Sequence, residues 1–184
     1  MPDVVPRIHR HPVLLRPFED VDVDLVRSVA ADPLIPLITT VPMSGSRDDA
    51  IAYVHRQHDR LRDGQGYSFA IADAEHGHAM GQIGLWIRDI ESGRTSTGYW
   101  VAPQFRRRGH LTVAPAALTE WALGLDEVHR IELHVEPWND GSRRAAGACG
   151  YEREGRLRSR QQIGDERKDL DVWSIIRPQS EPVH

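Results

Sequence analysis

The sequence predicts an α/β fold: a mixed, mostly antiparallel twisted sheet with helices on both faces. Three observations predict it. Between Gly66 and Val101 the chain holds three β-type segments in succession, separated by short glycine-containing turns. Between Arg94 and Ala148 strand and helix patterns alternate, the signature of a βαβα segment. Beyond Arg153, two further strand-like runs flank Gly164-Asp165 as a closing hairpin.

Each element has a local reason. Residues 12–17, Pro-Val-Leu-Leu-Arg-Pro, form a first strand. A helix runs from Asp20 or Asp22 to about Ala31, with Val23, Val26 and Ala30 at helical spacing. Residues 32–46 contain Pro33, Pro36 and Pro42 and read as a long loop or a broken short helix. Ser46 caps a better helix, Arg47–Arg62, with Asp48 and Asp49 in its first turn and Asp63-Gly64 at its end. Strands at 66–73 and 79–90 surround the hairpin loop Glu75-His76-Gly77-His78. A third strand, 94–101, follows the turn Glu91-Ser92-Gly93, and then come helix 111–123, strand 130–135 and helix 141–148. Strands 153–163 and 167–176 close the chain. One domain is expected over residues 1–184, with its core at about 12–177 and a polar, frayed tail at 178–184.

Composition narrows the function classes. With 23 basic and 27 acidic residues the net charge is −4, which argues against a general nucleic-acid binder. No apolar run approaches the roughly 18–20 residues needed to span a bilayer, and Met1 to Arg7 lacks the apolar stretch of a signal peptide. Cys149 is the single cysteine, so no internal disulfide can form. A cytoplasmic protein is expected, without nucleic-acid or membrane partners, as a monomer or homodimer.

The most informative segment runs from Tyr99 to Thr112: Tyr-Trp-Val-Ala-Pro-Gln-Phe-Arg-Arg-Arg-Gly-His-Leu-Thr. A strand stops at Pro103, and Arg106, Arg107, Arg108 and Gly109 lead directly into a helix. Free backbone N–H groups and cationic side chains then meet where an anion can sit, and a diphosphate suits such a site. Three further features join it. Strand 131–136 alternates apolar residues with Glu132, His134 and Glu136. Asn139-Asp140-Gly141-Ser142 supplies helix-capping chemistry after Pro137. Gly150-Tyr151 ends the following helix.

Together these residues make the chain resemble the GNAT N-acetyltransferases, and within them the RimJ/RimL-type branch named for ribosomal-protein N-terminal acetylation. The resemblance rests on Gly98 to Pro103, Arg106 to Gly109, Glu120-Trp121-Ala122, His129 to Leu133, Asn139 with Ser142, and Gly150-Tyr151 with Glu154-Gly155, in family order across about residues 66–177. It implies the GNAT fold, in which acetyl-CoA lies in a wedge where the strand ending in Val101 splays from the strand ending in Val135. It implies that the pantetheine arm pairs with backbone near Trp100 and Val101 as an added strand would. The pyrophosphate is received around Arg106, Arg107, Arg108, Gly109, His110, Leu111 and Thr112. Asn139 contacts the pantetheine arm, and Ser142 sits near the sulfur as an acid. No metal is implied.

Two departures from the family pattern carry chemical content. Leu111 stands where the family has glycine or alanine, and its side chain is expected to crowd the phosphate approach. Ser96 stands where many members place a glutamate base, two residues before Gly98. An α-amino group has a pKa of about 7.7–8 and a lysine about 10.4. Near pH 7.5 roughly a third of α-amines are neutral, against about one lysine in a thousand. A site without that carboxylate therefore suits an α-amine, by resemblance that of a protein or peptide N-terminus. A small-molecule amine is the alternative acceptor, and a non-catalytic acyl-CoA-binding module the alternative of another class.

His134 and Glu132 are the candidates for proton relay, beside a plainer reading as the solvated face of an alternating strand. His9 with His11 and His76 with His78 have chelating spacings but no supporting acid or cysteine cluster. Cys149 is expected to pack, and Trp138, just before Asn139, to line a pocket.

Overall fold

In the computed structural model residues 1–178 are described, apart from the side chain of Leu111; residues 179–184, most of the expected tail, lie outside the described residues. The elements follow the predicted order. They are β1 (Ile8–Arg10), β2 (Val13–Arg16), α1 (Val23–Ser28), α2 (Ile35–Ile38), α3 (Arg47–Arg62), β3 (Gly66–Asp73), β4 (Ala79–Trp86), β5 (Arg94–Val101), α4 (His110–Leu123), β6 (Arg130–Val135), α5 (Asp140–Ala148), β7 (Glu152–Ile163) and β8 (Glu166–Ile176).

Two details depart from expectation and a third settles an open alternative. The first strand is half of a hairpin, because β1 pairs antiparallel with β2; its three residues are too few to show alternation in sequence. The proline-rich segment, read as a long loop or a broken short helix, contains a single helical turn, α2, and just before it the Leu34 and Ile35 N–H groups both donate to Asp32 Oδ1 at 2.9 Å. The strand expected at 79–90 stops at Trp86, since the Ile90 N–H turns back onto the Ile87 carbonyl at 3.1 Å and a 3-10 turn follows.

The eight strands form one sheet in the order β1-β2-β3-β4-β5-β6-β8-β7. Every neighbouring pair is antiparallel except β5 and β6, which run parallel. Strand alternation divides the core between the two faces of the sheet. Tyr67, Phe69, Ile83, Leu85, Val101, Leu133 and Val135 pack with Ala114, Leu118 and Ala146 of α4 and α5. On the opposite face, Ala70, Trp100 and Ala102 pack with Val26, Ala50, Tyr53 and Val54 of α1 and α3. The buried Arg16 guanidinium joins this second face to the turn before α1, donating to both oxygens of Asp22 at 2.8 Å.

α3 is the best-specified helix. Ser46 Oγ accepts the Asp49 N–H at 3.1 Å, and Tyr53, Val54 and Gln57 form its buried side. α4 starts from Gly109 in the left-handed region (φ 83°), which glycine adopts without steric cost.

Candidate active site

The site is created by a break in the sheet. β5 and β6 pair only from Arg94 with Arg130 to Thr97 with Leu133. Beyond that point β5 stays with β4 as far as Val101, while β6 stays with β8 as far as Val135. The strands therefore part between Gly98 and His134, and the inner edge of β5 at Gly98–Val101 is left without a strand beside it. A cavity of about 430 Å³ opens there, lined by Gly98, Tyr99, Trp100, His134, Asn139 and Ser142 among others.

The face toward α3 is shaped by a glycine pair. Gly84 of β4 lies opposite Gly98 of β5, and the indole of Trp86 occupies the space over them. A Cβ at Gly84 would fall 2.3 Å from the Trp86 ring. The Arg60 guanidinium of α3 stacks on that ring at 4.6 Å. A second cavity of about 620 Å³ adjoins the first, and Arg60, Trp86, Arg88 and His134 border both.

His134 and Glu132 stand on this same face. Glu132 is opposite Ser96 across the parallel pair, so the carboxylate missing from β5 is present on the neighbouring strand. Its Oε1 accepts from Arg130 Nε at 2.8 Å, and its Oε2 lies 3.6 Å from His134 Nε2. Arg130 is itself clamped by both oxygens of Glu154 at 2.6 Å. The arrangement fixes a carboxylate close to the imidazole, with no hydrogen bond between the two among the described residues.

The face toward α5 presents different groups. Asn139 caps α5, its Oδ1 accepting the Ser142 N–H at 3.1 Å. Both residues line the first cavity, so capping and pocket lining coincide. Tyr99 alternates to this face, where its buried hydroxyl has no hydrogen-bond partner among the described residues. Burial pushes its pKa up to about 12, with Ser142 beside it pulling the other way. The phenol thus keeps its proton and is a donor. Sequence reasoning assigned Tyr99 no role; its signal, a tyrosine next to Gly98 on the strand that splays, was readable only once the strand's two faces were known.

At the far end of β5 the basic turn takes shape around two left-handed residues, Arg107 (φ 62°) and Gly109 (φ 83°). Among the described residues, the N–H groups of Arg107, Arg108, Gly109 and His110 make no hydrogen bond, while those of Thr112 and Val113 fold back onto the Gly109 carbonyl at 2.9 and 3.3 Å. Such a nest at a helix start is an anion-binding geometry. The side chains divide. Arg107 and Arg108 are exposed, and Arg108 stacks loosely on Phe105 at 5.9 Å. Arg106 instead reaches inward, donating to the Val101 carbonyl at 3.0 Å and to Asp32 Oδ2 at 2.9 Å. His110 is buried, and burial with Arg108 nearby lowers its pKa, so it offers the turn its backbone rather than a charge. The Leu111 side chain, expected to crowd this turn, lies outside the described residues.

Trp138 does not line either cavity. It is exposed, and its indole N–H donates to Glu136 Oε2 at 2.7 Å. Trp86 and Trp100 border the first cavity instead. Cys149 is half-buried, donating to the Thr112 carbonyl at 3.4 Å, and burial raises its pKa, which opposes a nucleophilic role. Among the described residues no group of three or more His, Cys, Asp or Glu side chains could hold a metal ion. No helix there is long and apolar enough to cross a membrane.

Residues 13–152 match the family model of the acetyltransferase (GNAT) domain, which spans the split, the basic turn and α5. The chain belongs to the GNAT acetyltransferase family. It is similar to the uncharacterized N-acetyltransferase p20 of Bacillus licheniformis, 24% identical over 163 residues that cover 89% of this chain and 92% of that one. Among solved structures, Mycobacterium smegmatis RimJ in complex with CoA-disulfide superposes with a TM-score of 0.81 at 23% identity, covering 97% of this chain and 92% of that one. The ribosomal-protein-S5-alanine acetyltransferase of Vibrio fischeri does so with a TM-score of 0.78 at 16% identity, covering 96% and 100%. At these identities the two structures bear on fold alone. As a GNAT member the chain is an acyltransferase, an N-acetyltransferase.

Proposed function

We propose that this acetyltransferase moves an acetyl group from acetyl-CoA to the α-amino group of a protein or peptide N-terminus. The observation that carries the reading is the separation of proton-accepting and proton-donating groups by the split. His134, beside Glu132, stands on the α3 face, while Ser142 and the protonated Tyr99 stand on the α5 face.

The chemistry follows from that separation. The diphosphate of the co-substrate is held by the N–H groups of Arg107, Arg108, Gly109 and His110 and by the backbone at Leu111, whereas the Thr112 N–H is already spent on the Gly109 carbonyl. The pantetheine arm lies along the free edge of β5 at Trp100 and Val101, as an added strand, with Asn139 at its far side. The amine enters from the α3 face. Its nitrogen lone pair attacks the thioester carbonyl carbon, forming the C–N bond, and the C–S bond breaks. The proton lost by nitrogen passes to His134, with the Glu132 carboxylate close by. Ser142, with Tyr99 behind it, donates a proton to the departing thiolate, and the products are the amide and free CoA.

A histidine base is weaker than the task of deprotonating a lysine demands, and adequate for an α-amine that is already partly neutral. The names of two structures that share this fold, RimJ and an S5-alanine acetyltransferase, agree with that acceptor class without carrying it. The test is incubation of the purified protein with acetyl-CoA and a peptide that carries a free N-terminus and an internal lysine, read by mass spectrometry. Acetyl should appear on the N-terminus. Robust acetylation of the lysine with none at the N-terminus would overturn the reading, and binding of acetyl-CoA without turnover on any amine would favour a non-catalytic module.

A further inference from the structure

The second cavity holds more positive charge than the transfer reaction uses. Arg60, Arg88, Arg94 and Arg160 line it, against Asp89 and Glu132. Both carboxylates are already accompanied: Glu132 by Arg130 at 2.8 Å and Asp89 by Arg94 at 3.9 Å. Arg60, Arg88 and Arg160 have no carboxylate within ion-pair distance among the described residues. They come from three separate elements: α3, the turn after β4, and β7.

Arg60 is also held in place by a buried relay of neutral groups. Its Nε donates to Gln57 Oε1 at 2.9 Å, which also accepts from Ser68 Oγ at 2.9 Å, and Ser68 Oγ accepts in turn from Gln82 Nε2 at 3.2 Å. Gln57, Ser68 and Gln82 are all buried. The remaining Arg60 nitrogens reach Gln65 and Thr40 at 3.2 Å, and the plane of the group rests on Trp86. A half-buried guanidinium fixed by amides and hydroxyls, its pKa lowered first by burial and further by like-charged Arg56, is oriented but not neutralised. Arginines so arranged suit planar oxyanions.

We propose that this cavity is a subsite for an anionic group carried by the acceptor, a carboxylate or a phosphate. Arg60, Arg88 and Arg160 receive it while the acceptor's amine reaches His134 on the shared wall. The subsite rests on the transferase reading above and adds the acceptor's charge to it. For a protein N-terminus the anion belongs to one of the residues just after the acetylated one, an acidic or a phosphorylated side chain.

The experiment measures acetyl transfer from acetyl-CoA to four tripeptide amides that share an N-terminal serine and differ at the second residue: glutamate, phosphoserine, alanine or lysine. The anionic peptides should exceed the alanine peptide in kcat/KM by roughly tenfold or more, the scale of a charge-assisted hydrogen bond. The lysine peptide should be poorest. Whether glutamate or phosphoserine leads tells carboxylate from phosphate. Arg60→Gln and Arg88→Gln should each lower the anionic-to-alanine ratio by about fivefold or more. Arg88 makes no side-chain hydrogen bond or ion pair among the described residues, so its replacement keeps the test decisive if Arg60→Gln is unstable. Equal rates on all four peptides, preference for lysine, or a ratio unchanged in both variants would overturn the subsite alone. Failure to acetylate any of the four would overturn the N-terminal acceptor reading, and the subsite with it.

Discussion

The two ends of the split are built from different materials. At the basic turn the groups on offer are backbone N–H groups around Arg107 and Gly109, and one of its three arginines is turned away to Asp32. At the α3 face the groups on offer are side chains, His134, Glu132, Trp86 and Arg60, each placed beside another side chain or a glycine pair. Backbone sites tolerate many neighbouring side chains and depend on φ. Side-chain sites depend on identity and on the shell that holds them.

Substitutions can break or sharpen that contrast. The largest effect is expected for His134→Ala, which should lower kcat by about 10²–10⁴ while leaving the affinity for acetyl-CoA near its starting value in calorimetry. An unchanged kcat would mean that the amine arrives already neutral and needs no base.

Next comes Gly84→Val. Its side chain must displace the Trp86 ring, which stands 2.3 Å from an added Cβ, and overpacking of this kind costs about 1–3 kcal/mol. Acceptor KM should rise about tenfold, with acetyl-CoA affinity little altered.

On the backbone side, Gly109→Ala places a Cβ in open space but at φ 83°. Non-glycine residues lose roughly 1–2 kcal/mol in this region. CoA affinity should fall severalfold, and by more than in Arg107→Gln or Arg108→Gln. The reverse order would make the site one of charges rather than of backbone.

Asp32 ties the start of α2 to the basic turn, accepting the Leu34 and Ile35 N–H groups with one oxygen and holding Arg106 with the other. Asp32→Ala should cost about 1–2 kcal/mol of stability, roughly 2–6 °C in Tm.

The smallest effect concerns acid. Asp171 is fully buried between Arg153 and Arg156, which hold its carboxyl far below the usual range. A depressed folded pKa contributes stability that is complete above the ordinary value near 4 and is lost as pH falls below it. Arg156→Ala should therefore lower stability modestly near neutrality and shift the acid-unfolding midpoint upward by a fraction of a pH unit. The difference from the parent protein fades at lower pH as Asp171 is protonated in both.

Much of this was legible in the sequence, for physical reasons. α3, β3, β5 and β6 have the bounds their patterns predicted, because caps, glycines and strict alternation mark both ends locally. The basic turn was legible because its chemistry is local: a strand, a glycine and a helix start within one stretch of chain. His134 and Glu132 were visible as the polar face of a strand, but their partnership with the Ser96 position depends on the β5–β6 register. Trp86, Arg60 and Tyr99 were not found. Trp86 needs two glycines from different strands to make room for its indole, Arg60 belongs to a helix distant in sequence, and Tyr99 acquires meaning from which face of β5 it takes. β1 was missed because three residues carry no periodicity.

The outer strand β7 has a consequence of another kind. Nearly all its residues are exposed, it carries Arg153, Arg156, Arg158 and Arg160, and its register breaks between Leu157 and Gln161 around Ser159 at φ 51°. A charged, kinked border resists the edge-to-edge stacking by which sheets aggregate. The opposite border, β1, is only three residues long. Both rims are thus guarded against a stray strand, and the flat, uncharged stretch Gly98–Val101 inside the molecule is left to receive an extended chain.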